Sequence, residues 1–416
     1  MLLRNVKSVT QINRDKNLVA HIGASLILFV LSLCKGVGMQ FSSLVNGGIT
    51  KMLPYRMGKP IELLQQELGA KNLLRLNSGE SPYGVSRKVS KIMADYVDKV
   101  PFYPDASGYI FKQTLKERKG YAINHITVGA DYHELISLMA RAFLNDKVNV
   151  VVPSLNSLIL ERAVTLSGAT LVPSGIDDNW CPNIEALLGA VNESTRMIML
   201  SNPSNPLGAF LVYADIEMIL SRIPSDIILV VDESLIDYLG YGYKDLYGLL
   251  NTYQNLVLIR SFSYAYGLAG LRIGYMLSGE EICSIINVLR DPYNVSQLAL
   301  DCASEALTDM VFINYVVERT NTERGRYNEF CSYYSLPILE SKTSSVTIDF
   351  GEHALNVYNA LLSQGIFTRP LNYMGLPSLI NITLGHPREN DFLLRRLEKI
   401  LLALQPQDQP DHNEPS

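Results

Sequence analysis

"NLVLIRSFSYAYGLAGLRIGY", residues 255–275, decides the fold. It opens as an unbroken apolar run, Leu256 to Ile259, with no polar residue at alternate positions. Such a run suits a strand buried on both faces, as in a parallel sheet. It then breaks into serine, tyrosine and glycine. Four further runs share the pattern: "VNVVVP" (148–153), "TLVPSG" (170–175), "RMIMLSNP" (196–203) and "DIILVVDES" (226–234). Helical stretches lie between them, among them "ELISLMARAFL" (134–144) and "ADIEMILSRI" (214–223). Strand and helix in alternation predict an α/β architecture. In such sheets ligands bind beyond the carboxyl ends of the strands. "SNPSNPLG" (201–208), "DES" (232–234) and "SFSY" (261–264) are therefore expected to converge on one cleft.

The bulk numbers agree with a packed chain of this kind. It has 416 residues, 47% hydrophobic and 19% charged, with a net charge of −5. That length suggests two domains, and no basic stretch points to nucleic acid. Cys34, Cys181, Cys283, Cys302 and Cys331 are scattered without metal-ligand spacing. They read as reduced thiols of a cytoplasmic protein. No histidine pairing suggests a metal. After about Pro292 the pattern shifts to a long helical stretch (296 to about 316), short strands "SSVTIDF" and "SLINITLG", and a last helix from about Glu389 to Leu404. This predicts a smaller α+β domain.

The two ends are different in kind. "LVAHIGASLILFVLSLC" (18–34) holds no Lys, Arg, Asp or Glu and follows Lys7, Arg14 and Lys16. It resembles the basic and apolar regions of a signal peptide without a small-residue cleavage site. It is also short for a membrane span of about 20 residues. The alternatives are an anchor or an upstream extension preceding Met39. The polar, proline-rich "QPQDQPDHNEPS" (405–416) predicts a disordered tail.

Several motifs, in order, resemble the fold-type I pyridoxal phosphate (PLP) enzymes. They are closest to the class I and II aminotransferases of the histidinol-phosphate aminotransferase type. They are "LPYRMGKPIELLQQELG" (53–69), "LNSGESPYG" (76–84), "FYPDASG" (102–108), "NPSNPLG" (202–208), "VVDES" (230–234), "SFSYAYGLAGLRIGY" (261–275), "RDPYNVS" (290–296) and "LINITLGHPREND" (379–391). The resemblance spans about Ile49 to Leu404. It implies the aspartate aminotransferase fold, with a mostly parallel, seven-stranded-type sheet in a large domain (101–295). A small C-terminal domain (296–404) would follow. Residues 46–100 would form an N-terminal arm and part of the small domain, after an extension (1–45).

The resemblance also implies roles. Asp232 matches the carboxylate that keeps the cofactor's ring nitrogen protonated. Asn205 matches the amide on the ring hydroxyl, and Ser261, Ser263 and Arg272 match the phosphate cup. The plainer reading of Arg272 is a pairing with an internal carboxylate. Tyr103 matches a tyrosine that reaches the neighbouring subunit's cofactor, which implies a homodimer. Arg369 matches an arginine near the substrate, or else forms an interdomain salt bridge.

Five departures oppose ordinary catalysis. Tyr264 stands at the Schiff-base lysine position, and a phenol cannot form an imine. Leu155 replaces the aromatic that stacks on the ring. Leu235 replaces a tyrosine beside the ring hydroxyl. Asn381 replaces an arginine that grips the substrate. In "VGADYHELI" (128–136), Tyr132 and His133 stand where small residues let backbone amides approach a phosphate. Asp131 and Glu134 read as a D-x-x-E helix cap. The expectation is therefore non-covalent binding of PLP or its amine form, PMP, without lysine-dependent transamination. The alternatives are a pseudoenzyme scaffold and an ordinary histidinol-phosphate transaminase.

Overall fold

The computed structural model describes residues 73–240 and 242–404, with 45, 47–50, 52, 63, 65 and 66 ahead of them. The expectations for 18–34 and for the tail 405–416 lie outside the described residues. The chain divides into two units, 1–51 and 52–416. In the first, Gly47–Thr50 form one helical turn, where Thr50 Oγ1 donates to Gly47 O at 2.8 Å. The second unit holds the sheets.

Its strands, in order, are β1 (Leu74–Arg75), β2 (Ile126–Gly129), β3 (Asn149–Pro153), β4 (Thr170–Ser174), β5 (Thr195–Ser201), β6 (Ile228–Asp232), β7 (Leu256–Ser261), β8 (Gly274–Ser278), β9 (Ser345–Asp349), β10 (Ile366–Phe367), β11 (Arg369–Pro370) and β12 (Leu379–Thr383). The helices used below are α1 (Tyr109–Lys119), α2 (Asp131–Phe143), α3 (Leu158–Ser167), α4 (Tyr213–Arg222), α5 (Glu280–Leu289), α6 (Gln297–Ala306), α7 (Met310–Tyr333), α8 (Ala354–Ser363) and α9 (Pro387–Leu404).

Seven strands form one sheet in the order β2-β8-β7-β6-β5-β3-β4. Only β8 runs antiparallel to its neighbours, β2 and β7. The other adjacent pairs are parallel. The five apolar runs are β3 to β7. In β3, β5, β6 and β7 the lack of alternation has the expected cause: Val230 faces a core closed by α2, α3 and α5, while Leu229 and Val231 face one closed by α1, α4 and α6. β4 is instead the edge strand and is only partly buried, with Thr170 and Pro173 exposed. Burying each such side chain contributes roughly 1.5–3 kcal/mol.

The smaller layer is a three-stranded antiparallel sheet, β11-β12-β9. α8 and α9 cover it through Val357, Leu361, Leu393 and Leu397. β1 pairs in parallel with β10, which attaches residues 74–75 to this layer. α9 begins at Pro387, two residues before the expected start; proline fits a first helical turn because its missing N–H has no partner there.

The stretch expected as one helix from 296 to 316 is two. α6 ends at Ala306, and Asp309 caps α7 by accepting from Phe312 N at 3.3 Å. α7 then continues to Tyr333. Its first turns place Ile313 and Val317 in the large core, and its last turns place Tyr327 and Cys331 in the small one. The change of core thus falls along α7, beyond the change of sequence pattern at Pro292. Among the described residues, no helix is long and apolar enough to cross a membrane.

Candidate active site

The carboxyl ends of β5, β6 and β7 open toward the first turn of α2. Asp232, the last residue of β6, is buried. Its carboxylate accepts from Ser234 N at 2.9 Å and from Ser201 Oγ, on the neighbouring strand, at 3.1 Å. Burial pushes this carboxyl up, while Ser234 and Ser201 hold it down.

Ser261, Ser263 and Arg272 do gather into one cup, and a side chain is already in it. Ser261 Oγ donates to Asp131 Oδ1 at 2.5 Å. Ser263 Oγ donates to Asp131 Oδ2 at 2.5 Å, and Arg272 Nη1 lies 2.5 Å from that same oxygen. The Tyr132 amide donates to Oδ1 at 2.8 Å. Asp131 is fully buried. A buried carboxylate is stable only when paired and hydrogen-bonded, and here four donors meet it. Arg272 thus pairs with an internal carboxylate, that of Asp131, as in its plainer sequence reading.

The backbone is shaped for this contact. Asp131 has φ 70° and Arg272 φ 53°, so both partners are left-handed. That conformation costs about 1–3 kcal/mol for an ordinary residue unless its surroundings hold it. Gly274, opening β8, lets the chain come close: a Cβ there would sit 2.6 Å from Arg260 O and 3.2 Å from Asp131 Cα. The D-x-x-E cap needs correcting. The cap residue is Ala130, whose N–H donates to Glu134 Oε2 at 2.5 Å. Asp131 is the first helical residue, and its side chain turns to the cup. Sequence reasoning missed this role because an acid at a helix start reads first as a cap. No local sequence signal links it to the cup, because Asp131 lies 130 residues before Ser261.

Tyr264 is half of a phenol pair. Its hydroxyl lies 3.2 Å from that of Tyr132, with ring centroids 6.3 Å apart. Burial pushes Tyr264 up to about 12; Asp232 and Asp131 add to this, while Tyr132 and Arg369 oppose it. Burial likewise holds Tyr132 well above its ordinary value. Both are neutral phenols at physiological pH, so neither is a working base there. His133 packs edge-on to Tyr132, with centroids 4.3 Å apart. Burial lowers its pKa, Asp131 raises it and Arg272 lowers it, so the ring is neutral.

The remaining candidates fall into separate places. Arg369 Nη1 donates to Asn205 Oδ1 at 3.4 Å, and its guanidinium lies 5.5 Å from the Tyr373 ring centroid. Asn381, on β12, is buried. Its amide nitrogen lies 2.9 Å from Pro206 O, 3.0 Å from Ser345 Oγ and 3.0 Å from Thr347 Oγ1, tying β12 to β9 and to the loop after β5. Leu155 packs with Trp180, Leu207 and Leu371. Leu235 packs with Tyr238, Ala265 and Tyr264. Tyr103 lies apart from the cleft residues' contacts; it is 85% exposed and rests on Tyr293, centroids 5.0 Å apart.

These residues do not fit PLP as they stand. The buried Asp232 carboxylate suits the ring-nitrogen role that the resemblance gives it. A phosphate, however, needs the donors that Asp131 occupies, and Tyr264 offers no amine.

Comparison with known proteins places the scaffold. The profile of the family "Aminotransferase class I and II" matches residues 71–397. "Histidinol-phosphate aminotransferase 2" of Haemophilus influenzae is 36% identical over 364 residues, 87% of this chain and 99% of that protein. The crystal structure of histidinol-phosphate aminotransferase from Sinorhizobium meliloti in complex with pyridoxal-5'-phosphate superposes with a TM-score of 0.80 at 25% identity. It covers 87% of this chain and 98% of that one. A Thermus thermophilus aspartate aminotransferase double mutant, 16% identical, shares the fold with a TM-score of 0.74, over 86% of this chain and 99% of its own. With its seven-stranded, mostly parallel sheet and its motifs in order, the chain belongs to the class I and II aminotransferases, fold-type I, and resembles histidinol-phosphate aminotransferase.

Proposed function

We propose that this chain is a catalytically silent member of its family, a binding or regulatory scaffold that does not run lysine-dependent transamination. The observation that carries the reading is Tyr264, a half-buried neutral phenol bound to Tyr132 where an amine would be needed. A second copy of the chain belongs to this reading. Val97, Val100, Phe102, Tyr103 and Ile110 expose more than 60% of their surface within 14 residues of one another. A homodimer would cover such a patch. A cytoplasmic location goes with the reading.

A second reading, non-covalent binding of PLP or PMP, draws support from Asp232, whose burial and paired oxygens suit a pyridinium partner. One experiment separates the two. The purified protein is mixed with PLP or PMP, followed by calorimetry and visible absorbance, then treated with borohydride and mapped by peptide mass. The scaffold reading expects no binding and no reduced adduct at a defined lysine. Binding without an adduct selects the second reading. A reduced adduct at one lysine together with amino transfer overturns both.

A further inference from the structure

We propose that Asp131 is an intramolecular ligand: its carboxylate takes the seat that a phosphate would take, and removing it converts the cup into a phosphate-binding site. The inference rests on the family scaffold, but not on the fate of the lysine.

Three observations converge. The cup is complete as an anion receptor, with two buried hydroxyls, a guanidinium and the second amide, that of Tyr132, of a 13-residue helix. All four donors are spent on one carboxylate, and that carboxylate is fully buried. Both members of the ion pair sit in the left-handed region, so the backbone as well as the side chains is arranged around the contact. A phosphate entering this seat must displace a charge of its own sign. It also has to replace every hydrogen bond that Asp131 already makes. The cup is thus specific for an oxyanion and supplies that oxyanion itself.

The substitution that tests this is mild for the backbone. Glycine accepts φ 70° without strain, and asparagine is the next most tolerant residue there. Wild type, Asp131→Gly, Asp131→Asn and the double variant Asp131→Gly/Arg272→Ala are titrated with inorganic phosphate. Calorimetry and thermal melting are the readouts, and circular dichroism checks the fold. Asp131→Gly should bind phosphate at least about tenfold more tightly than wild type, equivalent to about 1.4 kcal/mol. Its melting temperature should rise with phosphate while that of wild type stays still. Asp131→Asn should show the same direction with a smaller gain, and it carries the test if the glycine variant fails to fold. The gain should vanish when Arg272 is also removed. Equal phosphate binding by wild type, no gain in a folded variant, or a gain that survives loss of Arg272 would each overturn the proposal. None of these readouts involves imine formation, so the proposal can fail while the scaffold reading stands, and the reverse.

Discussion

If Asp131 and Arg272 form a true pair within the cup, their energies must be coupled, and a double-mutant cycle measures that coupling. Asp131→Asn removes the charge and keeps the left-handed backbone accessible. Arg272→Gln removes the guanidinium. Two unit charges 4 Å apart attract by about 4 kcal/mol at an effective permittivity of about 20. Asp131 is fully buried, which keeps most of that, but the Arg272 side chain is 45% exposed, so solvent screens its side. Fully exposed pairs retain only about 0.2–1 kcal/mol. The expected coupling lies between these limits, at about 1–3 kcal/mol. Urea unfolding of the four proteins, at fixed protein concentration and low salt, reads it directly. The Asp131→Asn variant alone should lose less stability than Arg272→Gln, because the latter leaves a buried carboxylate with only neutral donors. A coupling below about 0.5 kcal/mol would mean that Arg272 serves water rather than Asp131, and the internal-ligand reasoning would fall with it.

Three further outcomes are expected. Tyr264→Lys alone should not restore amino transfer, because Asp131 still fills the cup and Asn381 still ties β12 to β9; half-reaction spectra with PLP and an amino donor would refute this by showing turnover. Asn381→Arg, often the obvious repair, should destabilise by about 2–4 kcal/mol, since a guanidinium must displace a buried amide from its partners; an unchanged urea midpoint would sink that expectation. Burial works to raise the Asp245 carboxyl, but Arg260 and hydrogen bonds from Tyr121 and the Tyr247 amide outweigh it and hold it at about 2. Its folded pKa is therefore depressed, so its stabilisation is present above about pH 3.9, the ordinary aspartate value, and is lost as pH falls toward about 2. Asp245→Asn should flatten that acid limb in urea midpoints measured against pH; an unaltered slope would contradict it.

The sheet was legible because burial on both faces leaves a mark that needs no partner to read. Val150 to Val152 and Leu229 to Val231 are apolar at every position, and no amphipathic helix or one-faced strand produces that. The cup residues Ser261, Ser263 and Arg272 were legible from their motif, as was Tyr264 from its departure. Asp131 was not, for a physical reason. It lies 130 residues before Ser261 in sequence, and its role depends on α2 starting opposite the ends of β7 and β8. A motif compares residues by position, whereas the contact is set by three elements meeting. The length of α7 was hidden differently. It crosses from one core to the other, so its apolar face turns with it, and no single helical stripe persists through "NTERGRYNEF".

The manner of the departures bears on what selection has kept. A cofactor site that merely lost its lysine should leave its neighbours aimed at an empty centre. In this chain each substituted position has a packed or hydrogen-bonded partner of its own. The Tyr264 hydroxyl meets Tyr132, and its ring packs against Leu235. Leu155 joins an apolar cluster with Trp180 and Leu371. The Asn381 amide nitrogen sits among three backbone or hydroxyl oxygens at 3.0 Å or less. Local choices that agree with one another are what a single well-defined folded state requires. On the proposed scaffold reading the site is rebuilt as structure with Asp131 as its charged centre: a donor-rich cup needs an anion, and here the chain carries one.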